Sequence, residues 1–215
     1  MISLSVLEIL HFLLLAARWT LLLSAIAFLG GGIAALLLLL LRYARPRWGA
    51  TLTRYYIELL QGTPLLLQLF LVFFGLPLLG IEVSPLLAAA VALTIYAGAF
   101  LAEIWRGCVD AVPRGQWEAS AALGLNFLSQ MRYVILPQAL RIAVPPTVGF
   151  LVQLLKATAL SSIVGFNDLT RAGTIVTNAT FQPFLVYGLV ALIYFAMCYP
   201  LTVCSRVLER KLGSY

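Results

Sequence analysis

Trp19-Thr20-Leu21-Leu22-Leu23-Ser24-Ala25-Ile26-Ala27-Phe28-Leu29-Gly30-Gly31-Gly32-Ile33-Ala34-Ala35-Leu36-Leu37-Leu38-Leu39-Leu40-Leu41 contains no charged residue and stops at Arg42. A helix rising ~1.5 Å per residue crosses the ~30 Å hydrocarbon core with about 20 such residues. The run is too long for the apolar core of a signal peptide, which spans about 7–15 residues, and Glu8 lies where a signal peptide is basic. It is expected to be a retained first span. Of the 215 residues 62% are hydrophobic and only 10% charged, whereas soluble domains carry about 25% charged residues. A soluble core of this size could not hide so much apolar surface. The solvent for most of the chain is lipid.

Four further apolar stretches follow. The expected spans are about 19–41, 59–80, 83–105, 137–158 and 184–205, within a single membrane domain covering 1–215. The second is interrupted by Gly62-Thr63-Pro64 and the fourth by Pro145-Pro146. The stretch 158–183 is mixed and carries Asp168 and Arg171. No internal repeat is visible.

The net charge of +6 is better explained by topology than by nucleic acid. Arg42, Arg45, Arg47 and Arg54, then Arg106, Arg114, Arg132 and Arg141, then Arg206, Arg210 and Lys211 all fall on one side of the five spans. Arg18 and Arg171 fall on the other, with Lys156 in or beside a span. Basic residues collect in cytoplasmic loops. The expected topology is all-α, with the N-terminus outside and the C-terminus in the cytoplasm.

The segment 107–136 is the one long stretch that reads as water-exposed. Pro113 suits a helix start, Glu118 to Leu123 favours helix, and Gly124 suits a C-terminal cap. Asn126 is expected to cap a second short helix, with Phe127, Leu128, Met131, Val134 and Ile135 on one apolar face. Pro137 is expected to start the fourth span. The first short helix is expected to expose Ala119, Ser120, Ala121 and Ala122, over which another backbone could pass closely. From pattern alone, a simple surface hairpin remains open.

Several classes are excluded or disfavoured. The only lysines are Lys156 and Lys211 and neither follows glycine, so the chain lacks the phosphate-binding loop of an ATPase. His11 is the only histidine, which rules out a multi-histidine metal site and leaves no catalytic triad; no enzyme activity is expected. Cys108, Cys198 and Cys204 have no metal or disulfide spacing.

Polar residues in the spans mark a possible pathway, because lipid disfavours them. The candidates are Gln61, Gly62, Thr63, Pro64 and Gln68 in the second span, Glu103 in the third, and Gln153, Lys156 and Thr158 in the fourth. Each has a structural alternative: interhelical hydrogen bonding for Gln68 and Gln153, snorkelling for Lys156, a kink for Gly62–Pro64, and a one-turn ion pair with Arg106 for Glu103.

Glu118-Ala119-Ser120, Gly124, Val134 and Leu136-Pro137 keep the spacing of the signature of ABC importer permeases (Glu-Ala-Ala, three residues, Gly, nine residues, Ile, one residue, Leu-Pro). Four other segments resemble those of polar amino-acid permeases. Glu58 to Leu65 resembles Glu-Leu-apolar-Arg-Gly-Thr-Pro-Leu, with Gln61 in place of Arg. Glu103 to Cys108 resembles Glu-Ile-x-Arg-Gly-Gly, with Cys108 in place of the second Gly. Pro113 to Ala119 resembles Pro-Lys-Gly-Gln-Trp-Glu-Ala. Leu155 to Leu160 resembles Leu-Lys-Asp-Thr-Ser-Leu, with Ala157 and Ala159 in place of Asp and Ser.

The resemblance implies the type I ABC importer permease fold in a bacterial inner membrane, and import of a polar amino acid, cystine or an opine. It implies two cytoplasmic ATPase subunits that bind ATP and Mg, a second permease subunit and an external solute-binding protein. It makes Trp117, Glu118, Ala119, Ser120, Ala121, Gly124, Leu136 and Pro137 the elements that couple to the ATPase. An ion-coupled secondary transporter is the alternative; it usually needs inverted repeats, and none is visible.

Overall fold

The computed structural model describes residues 5–45 and 47–212, and the ordered elements among them are helical. Helix α1 (Val6–Ala44) begins at a capping box in which Ser5 and Glu8 satisfy each other's backbone N–H. It is 39 residues long, roughly 58 Å at 1.5 Å per residue. It therefore overhangs the apolar run from which its span was read. The run ends where charges begin, at Arg18 and Arg42, whereas the helix ends where its backbone bonds end.

The second apolar stretch, read as 59–80, takes in only the last turn of α2 (Trp48–Gln61), which starts earlier, between Arg47 and Arg54, and then α3 (Leu65–Leu78); the two helices are bent by 98° at Gly62–Pro64. Helix α4 (Pro85–Asp110) is capped by the Ser84 hydroxyl, with Pro85 in its first turn. Helices α5 (Arg114–Ala122) and α6 (Phe127–Gln130) form the hairpin. A π-helical turn, Met131–Ile135, leads from α6 into α7 (Leu136–Ala157), which continues as a 3₁₀ segment, Thr158–Val164. After Gly165 come α8 (Leu169–Thr180) and α9 (Pro183–Leu212). Among the described residues, four helical stretches are long and apolar enough to cross a membrane, or five when the bent α2–α3 pair counts as one.

The two proline sites fare differently. Pro137 lies in the first turn of α7, as its position predicts, but the helix there is not a fresh start: it runs unbroken from Phe127 to Val164. The Leu136 N–H bonds the Met131 carbonyl five residues back, and this widened turn admits a ring that has no N–H. Pro145 and Pro146 lie inside α7 without ending it.

The core is built on α1 against α4. Leu23, Ala27 and Ala35 of α1 are buried with Ala89, Ala92, Leu93, Ala97 and Leu101 of α4. Contact is closest at Gly31, where an added Cβ would lie 2.5 Å from the Ala97 Cβ. Lipid supplies no hydrophobic drive between helices, so small residues that let backbones approach provide the packing energy. A second cluster joins the start of α1 (Ile9, Leu13, Ala17) to α8 and α9. A third, at the opposite end, gathers Val109, Val112, Met131, Ile135 and Ala139 beneath the hairpin.

Candidate functional site

Pro113 lies in extended conformation immediately ahead of α5. Gly124 ends the helix at φ +76°, with its N–H on the Ala121 carbonyl and the Leu125 N–H on the Ser120 carbonyl. This is the closing geometry that glycine adopts without steric cost. The Asn126 carboxamide oxygen accepts the Ser129 N–H, capping α6, and Gln130 Nε2 donates to the Leu125 carbonyl. The turn between α5 and α6 is thus closed on both sides, by Gly124 and by Asn126, while Pro113 opens α5 without a side-chain cap.

Its outer face carries Glu118, Ala119, Ala121, Ala122, Leu123 and Gly124, all exposed. Ser120 departs from the expected outer face. It is buried at 2% exposure, and its hydroxyl donates to the Trp117 carbonyl. In a nine-residue helix the position between Ala119 and Ala121 turns toward the protein. Trp117 is half-buried and packs with Tyr43 and Val134 over the third cluster. Gln138 Nε2 reaches Gln116 Oε1 at 3.3 Å, tying α5 to α7.

The apolar face expected after Asn126 is divided. Met131 and Ile135 are buried and Val134 half-buried, but Phe127 is 50% and Leu128 75% exposed. The π turn takes more residues per rotation than an α turn, so positions before and after it fall out of one α-helical face. Leu136 and Pro137 are exposed at the start of α7.

The broken second span carries most of the pathway candidates. Gly62 ends α2 with its N–H on the Glu58 carbonyl at 2.9 Å, and a Cβ at Gly62 would come 2.8 Å from that carbonyl oxygen. The Thr63 hydroxyl donates to the Leu59 carbonyl. Gln68 Nε2, from α3, reaches back to the Leu60 carbonyl at 2.8 Å and to the Thr63 carbonyl at 3.1 Å. Gln68 therefore stitches the two half-helices together. Gln61 and Pro64 are exposed.

Glu103 pairs with Arg106 in the one-turn arrangement their spacing predicts, and Arg106 also reaches Asp110 at 2.6 Å. Gln61 and Glu103 come together with Arg42, Arg54, Glu58 and Arg106 around an open cavity of about 340 Å³. Gln153 and Lys156 are both exposed on α7, one turn apart. Thr158 is fully buried, and its hydroxyl donates to the Leu155 carbonyl at 2.7 Å. The candidates thus fall in three places.

Sequence reading passed over Asp168, which is 0% exposed and N-caps α8. It accepts the Arg171 N–H at 2.8 Å and faces the Tyr194 hydroxyl at 3.4 Å. Beside it, Thr20 of α1 accepts the Leu169 N–H and Thr170 bonds Tyr194. Desolvation pushes its carboxyl up to about 6. The one signal in the sequence was an Asp preceding an amphipathic run; the partners lie far away along the chain.

The family described as binding-protein-dependent transport system inner membrane component matches residues 27–214. The probable amino-acid ABC transporter permease protein YckA of Bacillus subtilis (strain 168) is 37% identical over 200 residues, covering 92% of this chain and 87% of its own. The L-cystine transport system permease protein TcyB of the same organism is 34% identical over 198 residues, 92% of this chain and 85% of its own. A crystal structure of an amino acid ABC transporter with histidines superimposes at TM-score 0.91 and 32% identity, covering 98% of this chain and 100% of that one. With the helical order, the bent second span and the capped hairpin in place, the chain belongs to the inner-membrane components of binding-protein-dependent transport systems, and its relatives are amino-acid ABC transporter permeases.

Proposed function

We propose that this chain is the permease subunit of an ATP-driven amino-acid importer, coupled to a separate ATPase through the hairpin. The observation that carries the coupling role is the outer face of α5, where Ala119, Ala121 and Ala122 are exposed just ahead of the Gly124 turn. Small side chains let another backbone approach closely, and the Gly124 turn and the Asn126 cap fix how the helix joins the next one. The basic side of the topology carries this hairpin, so it faces the cytoplasm, with the N-terminus outside and the C-terminus inside. The membrane is the bacterial inner membrane.

The complex comprises two ATPase subunits that bind ATP and Mg, a second permease of the same or related sequence, and an external binding protein. Several relatives' names specify an amino acid, such as cystine, glutamine or arginine, and the substrate class here is a polar amino acid. Gln61, Gly62–Pro64, Gln68, Glu103, Gln153, Lys156 and Thr158 are the residues to test along its path.

The decisive experiment reconstitutes the chain with its co-purifying ATPase and binding protein in proteoliposomes. ATP-dependent uptake from a panel of labelled amino acids is measured. Ala119→Trp puts a bulky ring on the docking face without touching a span. Uptake should fall at least 10-fold while the permease still accumulates in the membrane. Unchanged ATP-driven uptake in Ala119→Trp removes the coupling role.

A further inference from the structure

The hairpin is joined covalently to α4 and α7, and the contacts beneath it add a third connection. Tyr43, in the last turn of α1, packs on Phe127 with ring centroids 6.3 Å apart and planes 40° apart. Phe127 in turn stacks on Trp117 of α5 at 6.5 Å and 22°. Tyr43 and Trp117 both pack on the cluster of Val109, Val112, Met131, Ile135 and Ala139. Tyr43 is half-buried, and its hydroxyl is buried without a hydrogen-bond partner among the described residues. A buried hydroxyl without a partner is a cost, not a bond, so the contact rests on the ring.

We infer that Tyr43 and Phe127 are positioning residues for coupling: an aromatic bracket that delivers displacement of the hairpin to α1 as well as to α7. The inference rests on the coupling role proposed above. Two features of the fold support it. The direct route from α6 into α7 passes through the π turn at Met131–Ile135, and such turns are frequent at functional sites and alter helix register. The bracket bypasses that turn. At its far end, α1 is locked to α4 by the Gly31–Ala97 approach, so a push on Tyr43 moves two packed spans together. Without the bracket, force from the hairpin reaches α1 only through its neighbours.

The test uses the complete complex in proteoliposomes, with whichever of labelled L-arginine, L-glutamine or L-cystine the wild type carries. ATP hydrolysed per substrate imported is the readout, because loss of folded protein lowers both rates and leaves their ratio unchanged. Tyr43→Ala and Phe127→Ala should each raise the ratio at least fivefold. Tyr43→Phe should match wild type, since the ring is kept. The double variant should be no worse than the worse single one, as expected for one shared contact. Where Tyr43→Ala fails to accumulate, Phe127→Leu provides the same reading. A wild-type ratio in Tyr43→Ala or Phe127→Leu overturns the bracket, and so does a loss in Tyr43→Phe equal to that in Tyr43→Ala. Ala119→Trp separates the two ideas. If it uncouples while the bracket variants do not, only the bracket fails; if Ala119→Trp also leaves ATP-driven uptake intact, the coupling role itself has failed.

Discussion

Two proline sites interrupt apolar runs in this chain, and they end differently. At Gly62-Thr63-Pro64 the helix breaks and turns by 98°. At Pro145-Pro146 it runs on inside α7. Both remove backbone donors in a setting where water is scarce, so something must satisfy the orphaned groups. At the first site the substitutes are local: the Gln68 amide takes the Leu60 and Thr63 carbonyls, and the Thr63 hydroxyl takes that of Leu59. At the second the carbonyls that lose a donor are those of Arg141 and Ile142, four residues back; both residues border an open cavity of about 410 Å³, and α9 packs alongside, its Ser205 hydroxyl donating to the Pro145 carbonyl at 2.9 Å. A proline pair supported by a packed neighbour is absorbed. A Gly-Thr-Pro sequence with its own polar bracket becomes a hinge between half-helices.

The largest test of this contrast is Gln68→Leu. It leaves two carbonyls unpaired in a part-buried site, at about 1–3 kcal/mol each, so the complex should lose roughly 4 kcal/mol of stability. Thermal unfolding in detergent checks this, and a melting temperature equal to wild type would mean that the bracket is ornamental. Proteoliposome uptake by Gln68→Leu should fall at least 10-fold.

Asp168 is a third place where a polar side chain caps irregular backbone, and here the cap carries a charge. Its carboxyl is raised from 3.8 to about 6 by burial, so the folded chain keeps a proton that the unfolded chain releases first. Its contribution is most favourable below about pH 4 and is lost as pH rises through about 6. The shift corresponds to a cost of roughly 3 kcal/mol at pH 7.5. Asp168→Asn keeps a capping oxygen without the charge. It should raise the melting temperature at pH 7.5 and flatten the pH dependence between 4 and 7. A variant as pH-sensitive as wild type would show that Asp168 is not the titrating group.

Ser205→Ala is the smallest test. An interhelical hydrogen bond in a membrane averages about 0.6 kcal/mol, and α7 should remain continuous. A loss of several kcal/mol in the same unfolding assay would make the second site as dependent on a single side chain as the first.

The hairpin was legible because its signals are local. Pro113, Gly124 and Asn126 each act through backbone within a few residues, and the caps form where the sequence places them. The inward turn of Ser120 was not legible, since it depends on which side of α5 the third cluster lies. The division of Phe127 and Leu128 from Met131 and Ile135 depends on a π turn, and α-helical periodicity does not announce one. Asp168 was missed because Thr20 and Tyr194 approach it from helices far along the chain.

The apolar runs by themselves determined that lipid is the solvent and that helices cross it, because unpaired backbone groups are too costly there for any other open structure. They also marked the candidate breaks, since glycine and proline change what the backbone can do wherever they occur. Tertiary structure alone decided which break became a bend, which small residues met across α1 and α4, and which carboxylate was buried. Those outcomes depend on the neighbour that arrives to fill a space or supply a donor, and no single stretch of chain contains its neighbour.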